Sequence, residues 1–244
     1  MNKQSTNLSV ETISQHSSKH IPICKWPETE RPREKLIKLG AEVLSDSELL
    51  AIFLGTGCQG QSAVSLAREL ISQFNGLKGL LSAPANDLLA CKGVGNSKYA
   101  LLKAVRELGR RALAEHLQRG SALDSPQATY DYLRYWLVGK PYEVFCVLML
   151  DNQHRVISAI ELFRGTLSRA SVYPREVVQE GLKCNAAAMI LAHNHPSGVA
   201  EPSSADRDIT SRICSAAELL DIRVLDHIVV GDTECVSFAE RGWI

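Results

Sequence analysis

With 244 residues, 45% of them hydrophobic and 22% charged, the chain can bury one large core or two small ones, as expected of a soluble globular protein. Its 27 Lys+Arg balance 27 Asp+Glu, so no global field draws it to nucleic acid or to an anionic membrane, and any such attraction must be local. No apolar run approaches the roughly 20 residues that span a bilayer, and the N-terminus lacks the apolar stretch of a signal peptide, which predicts a cytoplasmic protein with no membrane partner.

Residues 1–24 are rich in Ser, Gln, Asn and Lys without periodicity and are expected to form a disordered tail. The pattern turns helical at Ser45: SDSELLAIFL has an N-capping serine, acidic residues in its first turn and an apolar stripe, and it stops at Gly55-Thr56-Gly57. A second helix, SAVSLARELISQF, begins near Ser62. The same order recurs downstream, where NDLLACK runs into Gly93-Val94-Gly95 and then SKYALLKAVRELGRRAL, so helix, Gly-x-Gly turn and helix form an internal repeat. The helical domain is expected over 25–114. EHLQRGSALDSP then breaks the apolar periodicity and marks a linker, taken as 115–121.

A second domain, 122–244, has a different texture. YEVFCVLMLD reads as a buried strand paired with HRVISAIELF across a turn near Asn152 that holds His154. A helix is expected from Pro174, because proline suits a first turn and Glu176 suits the positive end of the dipole. AAAMILAHNHP gives a strand ending in polar residues, SSADRDITSRICSAAELLDI a helix, and RVLDHIVVGDTECVSF a closing pair of strands. Strands alternating with helices imply a mixed β-sheet covered by helices, with any site at the strand ends. The fold class is therefore α+β, an all-α domain followed by an α/β domain. The seven cysteines are scattered singly with no C-x-x-C pair, which argues against a disulfide framework or a four-thiolate site and for reduced, packed thiols.

His193 and His195 stand two apart where an apolar strand ends, so an extended backbone points both imidazoles to one side. The chain then turns through Pro196-Ser197-Gly198 into a helix whose first turn carries Asp206, a candidate third ligand. Two neutral imidazoles and one carboxylate, with a fourth position left for water, suit one catalytic Zn²⁺. The plainer alternative is a polar turn in which Ser203 caps the helix and Asp206 is its acidic third residue. Asp226-His227, inside an apolar strand, reads either as a support that orients a ligand or as a satisfied core histidine. Asp208 projects from another side of the helix than Asp206 and is not counted as a ligand.

H-x-H-x7-S-x-x-D, here His193, His195, Ser203 and Asp206, resembles the JAMM signature of MPN+ metalloproteases. LFRGTLSRASVYPREVV, NAAAMILAHNHPSG, PSSADRDIT and LDHIVVG resemble, more narrowly, the bacterial RadC proteins (UPF0758), and the similarity spans about residues 25–244. The resemblance implies a JAB1, cytidine-deaminase-like sheet, with Zn²⁺ held by His193, His195 and Asp206, and an upstream glutamate as proton shuttle. Glu143, at the head of the strand YEVFCVLML, best matches that glutamate; Glu176 is the rival, and reads better as a first-turn helix residue. Many family members carry a His where this chain has Tyr173, so that position offers no nitrogen ligand here. The implied chemistry is hydrolysis of peptide or isopeptide bonds in a peptide or protein substrate. Zinc lowers the pKa of its water toward about 7, and Glu143 accepts the proton and later returns it to the leaving amine. Ser203 either donates to the developing oxyanion or caps its helix, two roles that compete for one hydroxyl.

CKGVGNSKYALLKAVRELGRR resembles a helix-hairpin-helix element, in which Gly93 and Gly95 let backbone N–H groups approach a phosphate while Lys92, Lys98 and Lys103 add charge. Gly55-Thr56-Gly57 looks like a weaker copy. The alternative is a tight helix–helix turn with a solvated basic face. A zinc hydrolase that also associates non-specifically with DNA is the reading this sequence favours. Two alternatives stand beside it. One is a metal-dependent nuclease, for which one zinc and one carboxylate make a sparse site. The other is a non-enzymatic adaptor in DNA repair or replication that keeps zinc for structure.

Overall fold

The structure, a computed structural model, describes residues 21–119, 126–165 and 172–244. Most of the expected N-terminal tail and residues 120–125 of the linker region lie outside the described residues, as do residues 166–171 of LFRGTLSRASV.

Two 3-10 turns lead into a helical half made of α1 (Pro32–Leu39), α2 (Asp46–Leu54), α3 (Ala63–Gln73), α4 (Leu77–Ser82), α5 (Ala85–Leu89) and α6 (Asn96–Arg119). Local chemistry sets the boundaries. Ser45 and Glu48 form a reciprocal capping box at the start of α2, and Gly55, at φ 69°, ends that helix in a conformation closed to most side chains. Ser62 caps α3 through the Ser65 amide. Leu50, Leu54, Leu66, Leu70, Leu80, Leu88 and Leu102 bury together as the core of this half. The two expected helix–turn–helix units are present as α2 with α3 and α5 with α6. The side chain of Lys98 ties their turns together, donating to the carbonyls of Gly57 at 3.2 Å and Gly93 at 2.9 Å.

Helix α6 does not stop at Glu115, where the composition of EHLQRGSALDSP suggests a linker; it continues to Arg119. The reason is tertiary. Leu102 belongs to the helical core, whereas Leu113 and Leu117 pack on the sheet, so one helix is buried at both ends by different cores and periodicity in either alone understates its length. Gly109 lets the Tyr135 ring approach where a Cβ would lie 2.3 Å from its hydroxyl.

The second half contains α7 (Pro126–Leu137), β1 (Val144–Leu150), β2 (Val156–Arg164), α8 (Pro174–Lys183), β3 (Ala188–Asn194), α9 (Ser204–Glu218), β4 (Arg223–Val230) and β5 (Cys235–Ser237). The strands form one mixed sheet in the order β2-β1-β3-β4-β5, antiparallel except where β3 runs parallel to β4. The predicted β1–β2 hairpin turns at Asn152, with His154 at φ 58° bonded to Arg223. Both faces are covered. Cys146, Leu148, Ile190 and Ile228 meet α6 and α7 on one side, and Phe145, Val147, Met149 and Leu191 meet α8 and α9 on the other. All seven cysteines are free. Among the described residues, no helix is long and apolar enough to cross a membrane.

Candidate metal centre

His193 pairs in register with Phe145 and so projects from β3 to the face covered by α9. Past the strand end, the backbone N–H of His195 still donates to Val230, which keeps the chain extended for one more residue and turns the second imidazole to the same side. Asp206 arrives from the first turn of α9, positioned by Ser203: the serine backbone N–H and hydroxyl both donate to Asp206 Oδ2 at 2.7 Å, and Asp206 N–H donates back to the hydroxyl at 3.2 Å. This capping box points the other carboxylate oxygen, Oδ1, inward.

One nitrogen from each imidazole and one carboxylate oxygen lie within 4.8 Å of one another. His193 Nε2 is 3.1 Å from His195 Nε2 and 3.4 Å from Asp206 Oδ1, and His195 Nε2 is 3.7 Å from Asp206 Oδ2. His193 and Asp206 are fully buried, and Asp206 Oδ1 is the one buried side-chain oxygen or nitrogen among the described residues without a hydrogen-bond partner. An orphaned buried carboxylate oxygen is costly, and ring-nitrogen lone pairs facing a carboxylate at these distances repel unless a proton or a cation stands among them. The donor set of two nitrogens and one oxygen therefore fits a divalent ion such as Zn²⁺.

Protonation is consistent with that fit. Burial pushes His193 down to about 4 and His227 well below the usual histidine value. Desolvation opposes ionisation of Asp206, but the neighbouring His195 and His193 rings and the two Ser203 bonds hold its carboxyl far below the ordinary range. His195 is raised, chiefly by the Asp206 carboxylate 3.7 Å away. Neutral His193 and ionised Asp206 are the states in which these groups ligate metal.

Glu143 immediately precedes β1 and shares with His195, Pro196, Tyr142 and Gly165 the lining of a cleft of about 510 Å³, which reaches the cluster at His195. Its backbone is fixed on both sides: Asn194, 3% exposed, accepts from the Val144 N–H at 2.8 Å and donates to the Tyr142 carbonyl at 3.1 Å, while the Glu143 carbonyl accepts from Gly165. Asn194 reads in the sequence only as the spacer of His-x-His; its function as a clamp on the Glu143 segment comes from pairing across β1. Glu176 lies elsewhere, in the first turn of α8, 3.9 Å from Arg175 and facing a groove against β2. Tyr173 precedes that helix, exposed, with Arg175 over its ring. Asp208 is exposed and lines a groove on the outer side of α9.

The hydroxyl of Ser203 is committed to the Asp206 carboxylate, the capping role of the two read from sequence. In the helical half, Lys92 and Gly95 are exposed, whereas Lys98 is spent on the two turn carbonyls and Lys103 donates to the carbonyls of Leu81 and Ala83.

The chain is similar to known proteins over nearly its whole length. A family model described as RadC-like JAB domain matches residues 123–243, and one described as UPF0758 N-terminal matches residues 23–100. A UPF0758 protein of Aeromonas hydrophila is 63% identical over 222 residues, which cover 91% of this chain and 99% of that one. A UPF0758 protein of Tolumonas auensis is 59% identical with the same coverage. One of Shewanella baltica is 58% identical over 219 residues, 90% of this chain and 97% of the relative.

Proposed function

Because the chain belongs to the UPF0758 family and its C-terminal half is a RadC-like JAB domain, we propose that it is a zinc-dependent hydrolase of the JAMM type that cleaves peptide or isopeptide bonds. The observation that carries this reading is the convergence of His193, His195 and the orphaned Asp206 Oδ1 beside a cleft lined by Glu143. His193, His195 and Asp206 would hold the ion. A bound Zn²⁺ supplies Lewis acidity, lowering the pKa of a coordinated water toward about 7 and polarising a carbonyl. Glu143 takes a proton from the attacking water and delivers it to the leaving amine, the work of a general base and then a general acid. Asn194 keeps that carboxylate at the cleft by holding the residues on either side of it. The test is the metal content of the purified protein and its hydrolysis of a panel of peptides and isopeptide-linked conjugates, with and without chelator. A metal-free protein after growth in ample zinc denies the reading.

The clamp carries its own expectation. Asn194→Ala should keep its zinc and lose on the order of 10- to 100-fold in kcat, since a shift of about 1 Å in a catalytic group has that scale of effect. Unchanged kcat would leave Asn194 only a structural part.

A nuclease is the weaker alternative, because one carboxylate among three ligands is a sparse set for phosphodiester chemistry, which often uses two metals. An adaptor with purely structural zinc is favoured by a fourth protein ligand, and the cluster found among the described residues contains three. DNA is proposed as a partner of the helical half, through phosphate contacts at the turn of Lys92, Gly93 and Gly95, of which Lys92 and Gly95 are exposed. Such binding should be indifferent to base sequence and weaken steeply with salt. Lys92→Ala should lower the affinity and flatten its salt dependence in a titration with duplex DNA. Affinity that does not change with salt removes that partner.

A further inference from the structure

The chain of hydrogen bonds behind His193 places a proton on each nitrogen in turn. Thr210 lies one turn beyond Asp206 on α9, and its hydroxyl oxygen is 2.5 Å from the Asp206 backbone carbonyl and 2.5 Å from His227 Nδ1. Two oxygens approach that closely only with a hydrogen between them, and a peptide carbonyl has none to give. The hydroxyl proton therefore points at Asp206, so His227 Nδ1 must donate to the hydroxyl oxygen. His227 is fully buried between Phe145 and Phe238, with ring centroids at 5.6 and 4.7 Å, surroundings that favour the uncharged ring. A neutral imidazole has one N–H, so His227 Nε2 is the acceptor in its 2.8 Å contact with His193 Nδ1, and His193 donates. His193 Nε2 is left as a bare lone pair, aimed at Asp206 Oδ1 and His195. On the other side, His195 Nδ1 faces the Val199 carbonyl at 2.8 Å and must donate, and a hydrogen in the 3.1 Å contact between the two Nε2 atoms then belongs to His195, with His193 accepting.

We infer that Thr210, acting through His227, fixes the tautomer of His193 and thereby sets the affinity of the cluster for a divalent metal. The inference rests on the metal-centre reading above. It makes Thr210 and His227 positioning residues. They link two of the ligands, Asp206 through its carbonyl and His193 through its ring, by a path that avoids the metal. Partners of this kind typically contribute 10- to 100-fold to metal affinity. Without the hydroxyl, the His227 Nδ1–H has no acceptor in a closed interior. The ring then gains by carrying its hydrogen on Nε2, which donates to His193 Nδ1 and moves the His193 hydrogen onto Nε2, where a metal would have to displace it.

The experiment compares wild-type protein, Thr210→Val, which keeps the shape but not the hydroxyl, and Thr210→Ser, which restores the hydroxyl. Zinc dissociation constants are measured by competition with a chromophoric chelator, and ring tautomers of the metal-free proteins by long-range ¹⁵N–¹H correlation spectra. Thr210→Val should weaken zinc binding by about 10- to 100-fold and show His193 protonated at Nε2. Wild type and Thr210→Ser should bind alike and show Nδ1–H. Equal zinc affinity in wild type and Thr210→Val overturns the inference, as does an Nε2–H tautomer of His193 in the metal-free wild type, a readout that does not depend on the variants folding. A wild type that takes up no zinc defeats the metal-centre reading itself, and with it the affinity claim, while the tautomer spectrum still decides whether Thr210 orders the ring.

Discussion

Glu143→Gln is expected to lower peptide or isopeptide hydrolysis by about 10²- to 10⁴-fold, the range associated with losing a general acid–base group, while zinc content stays at the wild-type level. The two side chains have nearly the same shape, so the clamp from Asn194 to Tyr142 and Val144 persists. What disappears is the ability to accept a proton, because an amide at neutral pH takes none. Zinc is retained because, among the described residues, the converging atoms come from His193, His195 and Asp206. Glu176→Gln is the matched control: that residue faces a groove between α8 and β2 and should leave the rate untouched. Full activity in Glu143→Gln would remove Glu143 from the mechanism. Loss of zinc in that variant would make it a ligand instead, and a rate falling in Glu176→Gln alone would transfer the proton shuttle to α8.

Removing one ligand should have the second large effect. His193→Ala is expected to purify with far less than one zinc per chain and with no measurable hydrolysis, since the two groups left do not make a site of the usual three protein ligands. The loss should also be visible in stability. An ion that binds only the folded chain stabilises it by about 4 kcal/mol when present at 1,000 times its dissociation constant, so chelator should lower the melting temperature of the wild type and leave His193→Ala unmoved. His193 is fully buried and hydrogen-bonded to His227, so the variant also creates a cavity and an unpaired ring nitrogen, costing about 1–3 kcal/mol in its own right. His195→Ala separates the two effects, because that side chain is half-buried and reaches the loop carbonyl of Val199 without entering the core. It should lose zinc with a smaller loss of metal-free stability. A chelator-induced shift as large in either variant as in the wild type would mean that the stabilising metal sits somewhere else.

Much of this site is written in short-range pattern. Alternation along a strand puts His193 and His195 on one side, and a serine three residues before an aspartate predicts the capping box that orients Asp206. Each of these rests on residues within one turn or one strand, where backbone geometry alone decides. The same holds for the capped start of α2 at Ser45 and for the Gly-x-Gly turns. The end of α6 was not legible in this way, because Leu117 is held by a sheet that the local sequence does not mention.

The amino-acid sequence by itself determined which side chains are the candidates: two imidazoles at strand spacing and a carboxylate in a capped first turn from their pattern, and a glutamate at the head of a buried strand from the resemblance to the JAMM signature. Only the tertiary structure decided what those side chains lean on. Asn194 reaches Val144 across 50 positions, His227 reaches His193 across 34, and Thr210 reaches His227 across 17. Strand order and helix docking bring these partners together, and no periodicity within a single element encodes them. Burial then completes the site, because the desolvation that keeps His193 and His227 neutral and leaves Asp206 Oδ1 without a partner arises only when β3, β4 and α9 close around them.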